Sequence, residues 1–385
     1  MKFSFNTTPA IRCGKGLSNA LGTLAGKLLG TQILFITDKG LVSLGLIDKA
    51  VQSLQQAGCT VHIFDATEPD PSLPILNMAI AQAIEVKATG IVGFGGGSSM
   101  DLAKLAALIA GSGENIDEAW GVANAKGPRL PLVLVPTTAG TGSEVTPVSI
   151  ITVDGDEKRG VSSPVILPDM AILDPELTLG LPQPITAATG IDAMVHAIEA
   201  YTSKSPNNNP MSKMLAVEAL KLLGTNIETA CFDGNNYEAR EAMLLGSMLA
   251  GMAFANSPVA AVHALAYPIG GIFHIPHGLS NALVLKEVMR FNAPACAKEY
   301  AALAPHIFPD LANEPSDQSC CAKLIERLGD LSKKIGLQQG LREMGITKED
   351  LPVMANAAMK QTRLLVNNPR EVNEADALAI YKAAF

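Results

Sequence analysis

The sequence is poor in aromatic side chains and in positive charge, and these two shortages exclude nucleic-acid binding as a function. Phe, Trp and Tyr make up 4% of the 385 residues, and 29 Lys and Arg stand against 37 Asp and Glu, which gives a net charge of −8. Single strands need aromatic platforms, and duplexes need a basic surface. We therefore expect no nucleic-acid partner.

Long apolar runs are also missing. The longest, residues 242–255 (AMLLGSMLAGMAFA), contains Gly and Ser and is shorter than the ~20 residues that a membrane-spanning helix needs. The N-terminal stretch MKFSFNTTPAIRCGKG has no apolar core of the kind found in secretory signals. The sequence therefore predicts no membrane partner and a cytoplasmic location.

Cysteine is scarce as well. The six cysteines are Cys13, Cys59, Cys231, Cys296, Cys320 and Cys321. No pair has the CxxC spacing of a metal or redox site, and their density is far below that of a disulfide-stapled domain. We expect reduced thiols that take no part in the chemistry.

The first half of the chain alternates short apolar runs with amphipathic segments. Predicted strands are Gln32–Thr37, Thr60–Phe64, Gly90–Phe94 and Leu132–Pro136, and predicted helices are Leu41–Gly58, Ile75–Val86 and Met100–Ala110. Near-continuous apolar strands that alternate with helices predict an α/β domain with a doubly wound, mostly parallel sheet.

From about residue 186 the strand signals disappear. Long Ala-, Leu- and Met-rich segments at helical spacing predict an all-α second domain. The boundary is expected in the Gly- and Pro-rich stretch LTLGLPQP. We therefore predict a dinucleotide-binding α/β domain at 1–183 and a helical metal-binding and substrate domain at 184–385.

A glycine-rich segment, Gly93-x-Gly95-Gly96-Gly97-Ser98, follows a predicted strand and opens a predicted helix. Unpaired N–H groups at such a helix start suit a pyrophosphate, and glycines allow close approach of the backbone. The pattern departs from the usual dinucleotide fingerprint, because the acid at a strand end, Asp38, precedes the glycines. A second loop, residues 136–146 (PTTAGTGSEVT), follows the next strand and offers hydroxyl groups at the same sheet edge.

A carboxylate and an imidazole stand at Asp192 and His196, four residues apart and hence on one face of one helix. Of the chain's six histidines, His263, His274 and His277 follow downstream. One Asp and three His would form a catalytic metal site that keeps room for a substrate oxygen. Four histidines compete for three places, and His274 is the one that we would leave out.

These residues together resemble the iron-containing (group III) alcohol dehydrogenase family. The matching stretches are GGGSSMDLAK (95–104), PTTAGTGSE (136–144), LPDMAILDPELT (167–178), TGIDAMVHAIEAY (189–201) and VHALAYPIGG with HIPHG (262–278). The resemblance covers about residues 5–385. It implies a nucleotide-binding α/β domain followed by a helical domain, in agreement with the periodicity.

The resemblance also implies the functional residues. Its metal ligands fall on Asp192, His196, His263 and His277. Its nicotinamide-dinucleotide contacts fall on Asp38, Asp70, Gly95, Gly96, Gly97, Ser98, Asp101, Thr137, Thr138, Thr141, Ser143, Thr146 and Lys158. Asp70 stands where many relatives have Asn. Tyr267 stands where some members have a His proposed as a proton relay, so Tyr267 and His274 are the relay candidates here.

The activity implied is that of a metal-dependent NAD alcohol dehydrogenase, which interconverts a small primary alcohol or diol and its aldehyde by hydride transfer. The implied metal is Fe(II), with Zn(II) as the alternative, since imidazole and carboxylate ligands suit both. Asp38 favours NAD over NADP, because its carboxylate accepts from a 2′-OH and repels a 2′-phosphate. Relatives are usually dimers or larger, which predicts a homo-oligomer.

Other functions stay open on the sequence alone. A hydroxyacid–oxoacid transhydrogenase or a hydroxyacid dehydrogenase of the same fold would need a cation for the substrate carboxylate, and Arg240, Arg290 and Lys286 are available. Dehydroquinate-synthase-like chemistry would require more basic residues. A non-catalytic scaffold is disfavoured, because buried ligands without a metal are costly.

Overall fold

The computed structural model describes residues 2–153 and 157–385. The chain divides into two compact units. One, called here the sheet unit, comprises Asn6–Thr138 and Gly142–Leu179, and the other, the helical unit, comprises Met1–Phe5, Ala139–Thr141 and Gly180–Phe385. As functional domains, 1–183 and 184–385 stay a prediction.

The sheet unit is built on parallel strands. Its strands are β1 Ala10–Cys13, β2 Gln32–Ile36, β3 Thr60–Phe64, β4 Gly90–Gly95, β5 Gly121–Val122, β6 Leu132–Pro136, β7 Val148–Val153, β8 Glu157–Ser162 and β9 Met170–Leu173, and its helices are α1 Leu21–Leu29, α2 Lys39–Ser43, α3 Asp48–Gln56, α4 Leu73–Glu85, α5 Gly97–Ser112 and α6 Ile116–Ala119. Within the described residues, six strands form a sheet in the order β1-β9-β6-β4-β2-β3, and each neighbouring pair is parallel. A smaller sheet joins β5, β8 and β7.

Successive side chains of β2 enter two apolar cores, one on each face of the main sheet. Ile33 and Phe35 pack with residues of α1 and α3, whereas Leu34 and Ile36 pack with residues of α4 and α5. All four side chains are fully buried, as expected for strands that have helices on both faces. The predicted doubly wound, mostly parallel sheet is confirmed.

The single helix predicted over Leu41–Gly58 is wrong. The chain forms two helices there, α2 and α3, and Gly45 between them has a φ of +66°. Only glycine adopts this left-handed backbone without steric strain, so it ends one helix before the next begins. The apolar spacing continues across the break and therefore imitates one helix in the sequence.

The helical unit has no strand among its described residues. Its helices are α7 Gln183–Thr202, α8 Pro210–Phe232, α9 Tyr237–Asn256, α10 Ala261–Phe273, α11 His277–Ile307, α12 Asp317–Lys334, α13 Leu351–Met359, α14 Thr362–Leu365 and α15 Glu374–Ala383. Helix α7 packs against α8, α9 and α11, and every residue from 190 to 200 is buried. A helix buried on all sides is normally apolar throughout, so polar residues in this stretch call for an explanation.

In the part of the chain that the structure describes, no single helix has both the length and the apolar composition needed to cross a bilayer. Helices α9 and α10, bent by 107° relative to each other, meet that criterion as a pair by length and composition.

Candidate metal centre and nucleotide site

Three polar side chains interrupt the otherwise apolar sequence of the buried stretch of α7. Asp192, His196 and Glu199 are 2%, 5% and 4% exposed. Their spacing of four and then three residues places them along one face of the helix over two turns. Helix α7 therefore presents Asp192 and His196 side by side, as the sequence spacing predicts.

Two further histidines come from the first turns of neighbouring helices. His263 lies in the first turn of α10, and His277 is the first residue of α11. A Cβ atom on Gly278 would lie 2.4 Å from the carbonyl oxygen of Ala188 on α7, so only glycine lets α11 begin this close to α7. The Pro-His-Gly sequence thereby brings His277 to the face that carries Asp192.

The four side chains converge on one oxygen atom. The Nε2 atoms of His196, His263 and His277 lie 4.0, 3.8 and 3.7 Å from Oδ1 of Asp192. These distances are too long for hydrogen bonds and are close to the ~3–3.5 Å between neighbouring ligand atoms on one ion. The donor atoms of Asp192, His196 and His263 all lie within 4.8 Å of one another. His277 is the more exposed member, at 37%.

The surroundings of Asp192 and His196 give these two groups the protonation states of metal ligands. Burial lowers the pKa of His196 to about 3, so the imidazole is neutral and keeps its lone pair. Burial opposes the ionisation of Asp192, but the imidazoles and the Asn281 amide, which donates to Oδ1 over 2.6 Å, hold the pKa of this carboxyl below its ordinary value. An ionised Asp192 carboxylate beside the neutral imidazole of His196 fits a divalent iron or zinc ion.

The two candidate relay residues have different surroundings. Tyr267 lies one helical turn after His263 on α10, and its ring centroid is 6.0 Å from that of His277. His274 ends α10 with a φ of 55°, and its side chain is exposed. The structure therefore brings Tyr267 to the histidine cluster, whereas His274 lies at an exposed helix end.

Three of the predicted nucleotide-binding segments follow neighbouring parallel strands. Strand β2 leads to Asp38, β4 leads to Gly95–Ser98, and β6 leads to Thr137 and Thr138. Strand β4 lies between β2 and β6, and the Thr137 N–H donates to the Gly95 carbonyl oxygen over 3.0 Å. Ligands of open α/β sheets bind at this carboxyl edge, so the structure brings these segments to the expected place.

The glycine-rich segment runs into the N-terminus of α5. This helix begins at Gly97, and no side chain caps its first turn. A Cβ atom on Gly93 would lie 2.7 Å from side chains of both Ala103 and Leu134, so glycine lets α5 pack directly on the sheet. Backbone N–H groups at a helix start without a side-chain cap are a suitable site for a pyrophosphate.

Three other predicted nucleotide contacts form a buried network with Lys104. The Lys104 Nζ atom is fully buried and donates to Ser143 Oγ over 2.7 Å and to Thr146 Oγ1 over 3.2 Å. Ser143 Oγ donates in turn to Asp101 Oδ1 over 2.6 Å. These groups hydrogen-bond to one another and hold α5 to the second loop. Their direct contact with a nucleotide stays a prediction.

Burial shifts the pKa values of the ionisable groups in this network. Burial lowers the pKa of Lys104 to about 8, although Asp101 and Glu144 oppose that shift. Burial raises the pKa of Asp101, and it raises the pKa of Glu144 to about 7. The Oε1 atom of Glu144 is buried and has no hydrogen-bond partner in the described residues. Keeping Lys104 and Asp101 charged in this buried network therefore costs free energy.

The remaining predicted nucleotide residues lie in three places. Asp38 is the N-cap of α2 and accepts from the Leu41 N–H over 3.0 Å. Asp70 has a φ of 52° and forms an ion pair of 2.8 Å with Lys158. Thr141 belongs to the helical unit. As contacts of a nucleotide, all of these residues stay predictions.

The sequence reasoning missed four buried polar residues that support these sites: Lys104, Glu144, Glu199 and Asn281. Two of them follow predicted ligands at helical spacing, because Glu199 lies seven residues after Asp192 and Asn281 lies four residues after His277. That spacing could have identified them. Nothing local distinguishes Lys104 from a lysine on a solvent-exposed helix face.

Comparison with known proteins follows the same division of the chain. A family model described as "Iron-containing alcohol dehydrogenase" matches residues 8–175. A second model, "Fe-containing alcohol dehydrogenase family, C-terminal", matches residues 186–385. The chain is 40% identical over 383 residues to the long-chain-alcohol dehydrogenase 1 of Geobacillus thermodenitrificans (strain NG80-2), with 98% of this chain and 95% of that protein covered.

Solved structures agree with this similarity. A crystal structure of 1,3-propanediol oxidoreductase matches with a TM-score of 0.96 and 36% identity over 100% of both chains. A sulfoacetaldehyde reductase from Bifidobacterium kashiwanohense in complex with NAD+ matches with a TM-score of 0.86 and 30% identity, over 100% of this chain and 99% of that one. The predicted enzyme class, an alcohol dehydrogenase, is confirmed. Over nearly its whole length, this chain belongs to the iron-containing alcohol dehydrogenase family.

Proposed function

We propose that this protein is a metal- and NAD-dependent alcohol dehydrogenase that interconverts a small primary alcohol or diol and its aldehyde. The observation that carries the proposal is the convergence of three imidazole Nε2 atoms on the buried Asp192 carboxylate, at distances of 3.7–4.0 Å. At these distances the imidazoles do not hydrogen-bond to the carboxylate, and one divalent ion between them would bind all four side chains.

Asp192, His196, His263 and His277 would hold the ion, with Fe(II) as the first choice by family and Zn(II) as the second. When bound, the ion supplies Lewis acidity toward an alcohol or carbonyl oxygen, and the nicotinamide exchanges the hydride. Asn281 fixes the orientation of the Asp192 carboxylate through its 2.6 Å hydrogen bond. His277 is the partly exposed member of the group, so a substrate would approach the ion from its side.

Oxidation of an alcohol releases a hydride from carbon and a proton from the hydroxyl group. What supports Tyr267 as the relay for this proton, accepting it while its own hydroxyl proton passes on to solvent, is its position one helical turn from His263 and its ring contact with His277. A tyrosine hydroxyl both donates and accepts hydrogen bonds and has an ordinary pKa of ~10. His274 is the weaker candidate because it is exposed.

The N-terminus of α5 and the loop after β6 would bind NAD, with the pyrophosphate on the glycine segment. Asp38 would accept from a ribose 2′-OH and disfavour NADP. A homo-oligomer and a cytoplasmic location stay predictions.

The test uses purified protein and a panel of alcohols that includes 1-propanol, 1-butanol, 1,3-propanediol and long-chain primary alcohols. We expect NADH formation that is lost on chelation and restored by Fe(II) or Zn(II). Turnover that survives complete metal removal would contradict the proposal, as would a protein that oxidises none of these alcohols and binds no metal.

The three cations considered for a substrate carboxylate, Arg240, Arg290 and Lys286, give a hydroxyacid substrate no support. Arg240 donates to the carbonyl oxygens of Gly234 and Leu181, over 3.0 and 2.9 Å. Arg290 and Lys286 both form ion pairs with Glu326. All three candidates are thus engaged by other parts of the chain. Turnover that requires both a hydroxyacid and an oxoacid would revive that alternative.

A further inference from the structure

Glu199 lies on the same face of α7 as two of the proposed metal ligands, one turn beyond His196. Its side chain is 4% exposed, and no lysine or arginine forms an ion pair with it among the described residues. Burying a carboxylate is costly unless its oxygens receive hydrogen bonds. The identity of its donors therefore indicates what the residue does.

Three donors from α10 and its N-cap surround this carboxylate. Oε1 accepts from the Val262 N–H over 2.6 Å, and Oε2 accepts from the Ala260 N–H over 2.9 Å. Oε2 also lies 2.7 Å from Nδ1 of His263. Helix α10 has no side-chain cap of its own, so Glu199 of α7 supplies the acceptors that its first turn lacks.

The hydrogen bond to His263 fixes a tautomer. Both oxygens of Glu199 already accept from backbone N–H groups, and as an acceptor toward His263 as well this side chain places the ring proton on Nδ1. In the neutral ring the lone pair is then on Nε2, the atom that lies 3.8 Å from Oδ1 of Asp192. That is the nitrogen and the protonation state that a metal requires.

We infer that Glu199 is a positioning residue of the metal centre, which holds His263 in its ligating tautomer while it fixes the start of α10. This inference rests on the proposed function, because it concerns the same metal. Hydrogen-bond partners of metal-bound histidines typically change metal affinity by about 10–100-fold when they are removed.

The sharpest variant is Glu199→Gln. Glutamine has the same shape but only one acceptor oxygen, so its NH2 group must face either the Val262 N–H or the pair formed by Ala260 and His263. The first orientation breaks a backbone hydrogen bond. The second leaves the Ala260 N–H without its acceptor, and it lets His263 accept from the NH2 group only if the ring proton moves to Nε2, which removes the lone pair that the metal needs.

The experiment measures Co(II) and Zn(II) affinity by competition with a chelator, together with the visible spectrum of the Co(II) protein and NAD binding. We expect Glu199→Gln to bind both metals about 10–100-fold more weakly, with an altered Co(II) spectrum and unchanged NAD affinity. The matched control is Glu238→Gln, which removes an exposed carboxylate from the first turn of α9. It should change none of these readouts.

A purely structural cap would lower thermal stability without changing the Co(II) spectrum, and that result overturns the inference. Should Glu199→Gln fail to fold, NMR of wild-type protein with 15N-labelled histidine decides the question, with His263 assigned from a His263→Gln sample. A proton on Nδ1 in the zinc-loaded and in the metal-stripped protein supports the inference, and a proton on Nε2 in the stripped protein contradicts it. A wild type that binds neither metal refutes the metal centre itself.

Discussion

The two units both bury a carboxylate among nitrogen-bearing side chains, but with opposite hydrogen-bonding patterns. In the helical unit, the histidine nitrogens stay 3.7–4.0 Å from Asp192. In the sheet unit, Lys104 and Asp101 are joined through Ser143 by hydrogen bonds of 2.7 and 2.6 Å. In the helical unit the imidazoles do not hydrogen-bond to Asp192 and are spaced to share a ligand with it, whereas the hydrogen bonds among Lys104, Ser143 and Asp101 fix the shape of the sheet unit.

Asp192 and a second buried carboxylate of the sheet unit, Glu144, also differ in the direction of their pKa shifts. The imidazoles and Asn281 outweigh burial and hold the pKa of Asp192 below its ordinary value. Burial raises the pKa of Glu144 to about 7. Asp192 is therefore ionised across the neutral range, whereas Glu144 changes its charge within that range. This difference matches a ligand in one unit and a structural residue in the other.

The largest effect is expected when a proposed metal ligand of the helical unit is removed. His263→Ala should lower metal affinity by more than the ~100-fold that loss of a ligand's hydrogen-bond partner causes, and activity should be lost with it. NAD affinity should stay unchanged, because the proposed nucleotide residues belong to other segments of the chain. Metal analysis and NAD titration of the same preparation measure both.

The matched control for His263→Ala is His306→Ala, which removes a histidine from the last turn of α11. It should keep both metal and NAD. If His263→Ala weakened NAD binding as much as metal binding, the separation into two sites would be wrong.

Lys104→Met tests the other half of the comparison. Removing one partner of a buried ion pair leaves Asp101 uncompensated and should cost about 3 kcal/mol or more in the free energy of unfolding. NAD should bind more weakly because α5 and the second loop lose their connection, while Co(II) affinity stays the same. Urea unfolding and ligand titration give these values.

The control for this lysine is Lys126→Met, since Lys126 forms an exposed ion pair with Glu118. Exposed pairs contribute ~0–1 kcal/mol, so stability should barely change. Equal effects of the two substitutions would show that the Lys104 network has no special role.

How much of the fold and of the site could be predicted from the sequence depends on whether a feature is set by residues that lie close together in the chain. The Asp192–His196 pair lies within one helix, so the spacing of the two residues was enough to predict that they lie side by side. Burial of Lys104 follows from the packing of α5 against β7 and the second loop, which no local pattern reveals, and lysine is rarely fully buried. The sequence pattern does not predict α11 as one continuous helix, because Pro294 and Pro305 lie inside it and normally signal a helix end, and the chain is indeed kinked there, with a non-helical φ of −143° at Cys296.

Glu144→Gln sharpens the contrast between the two carboxylates. The folded protein binds the Glu144 proton more tightly than the unfolded chain does, because burial raises the pKa from 4.5 to about 7. Wild-type stability should therefore fall by up to about 3 kcal/mol as the pH rises from 4.5 to 7. The variant should lack the Glu144 part of this decrease, and Asp101, whose pKa burial also raises, accounts for any decrease that remains.

Thermal unfolding across that pH range measures the Glu144 effect, and Glu118→Gln is the exposed control, with 60% of the Glu118 side chain accessible. Lys104 titrates separately, because its lowered pKa of about 8 changes the stability only at higher pH. Identical pH profiles for wild type and Glu144→Gln would mean that Glu144 is not the buried acid described above.

Asp38 gives the smallest expected effect and concerns specificity. Its carboxylate both caps α2 and, as proposed, meets the ribose, so Asp38→Gly would change helix stability and charge together. Asp38→Asn separates the two, because asparagine caps a helix about as well as aspartate but carries no charge. The NADP-to-NAD ratio of kcat/KM should rise about 10-fold, or ~1.4 kcal/mol, with little change in thermal stability. A ratio unchanged in Asp38→Asn and raised in Asp38→Gly would assign the preference to the shape of the α2 N-terminus rather than to the charge of Asp38.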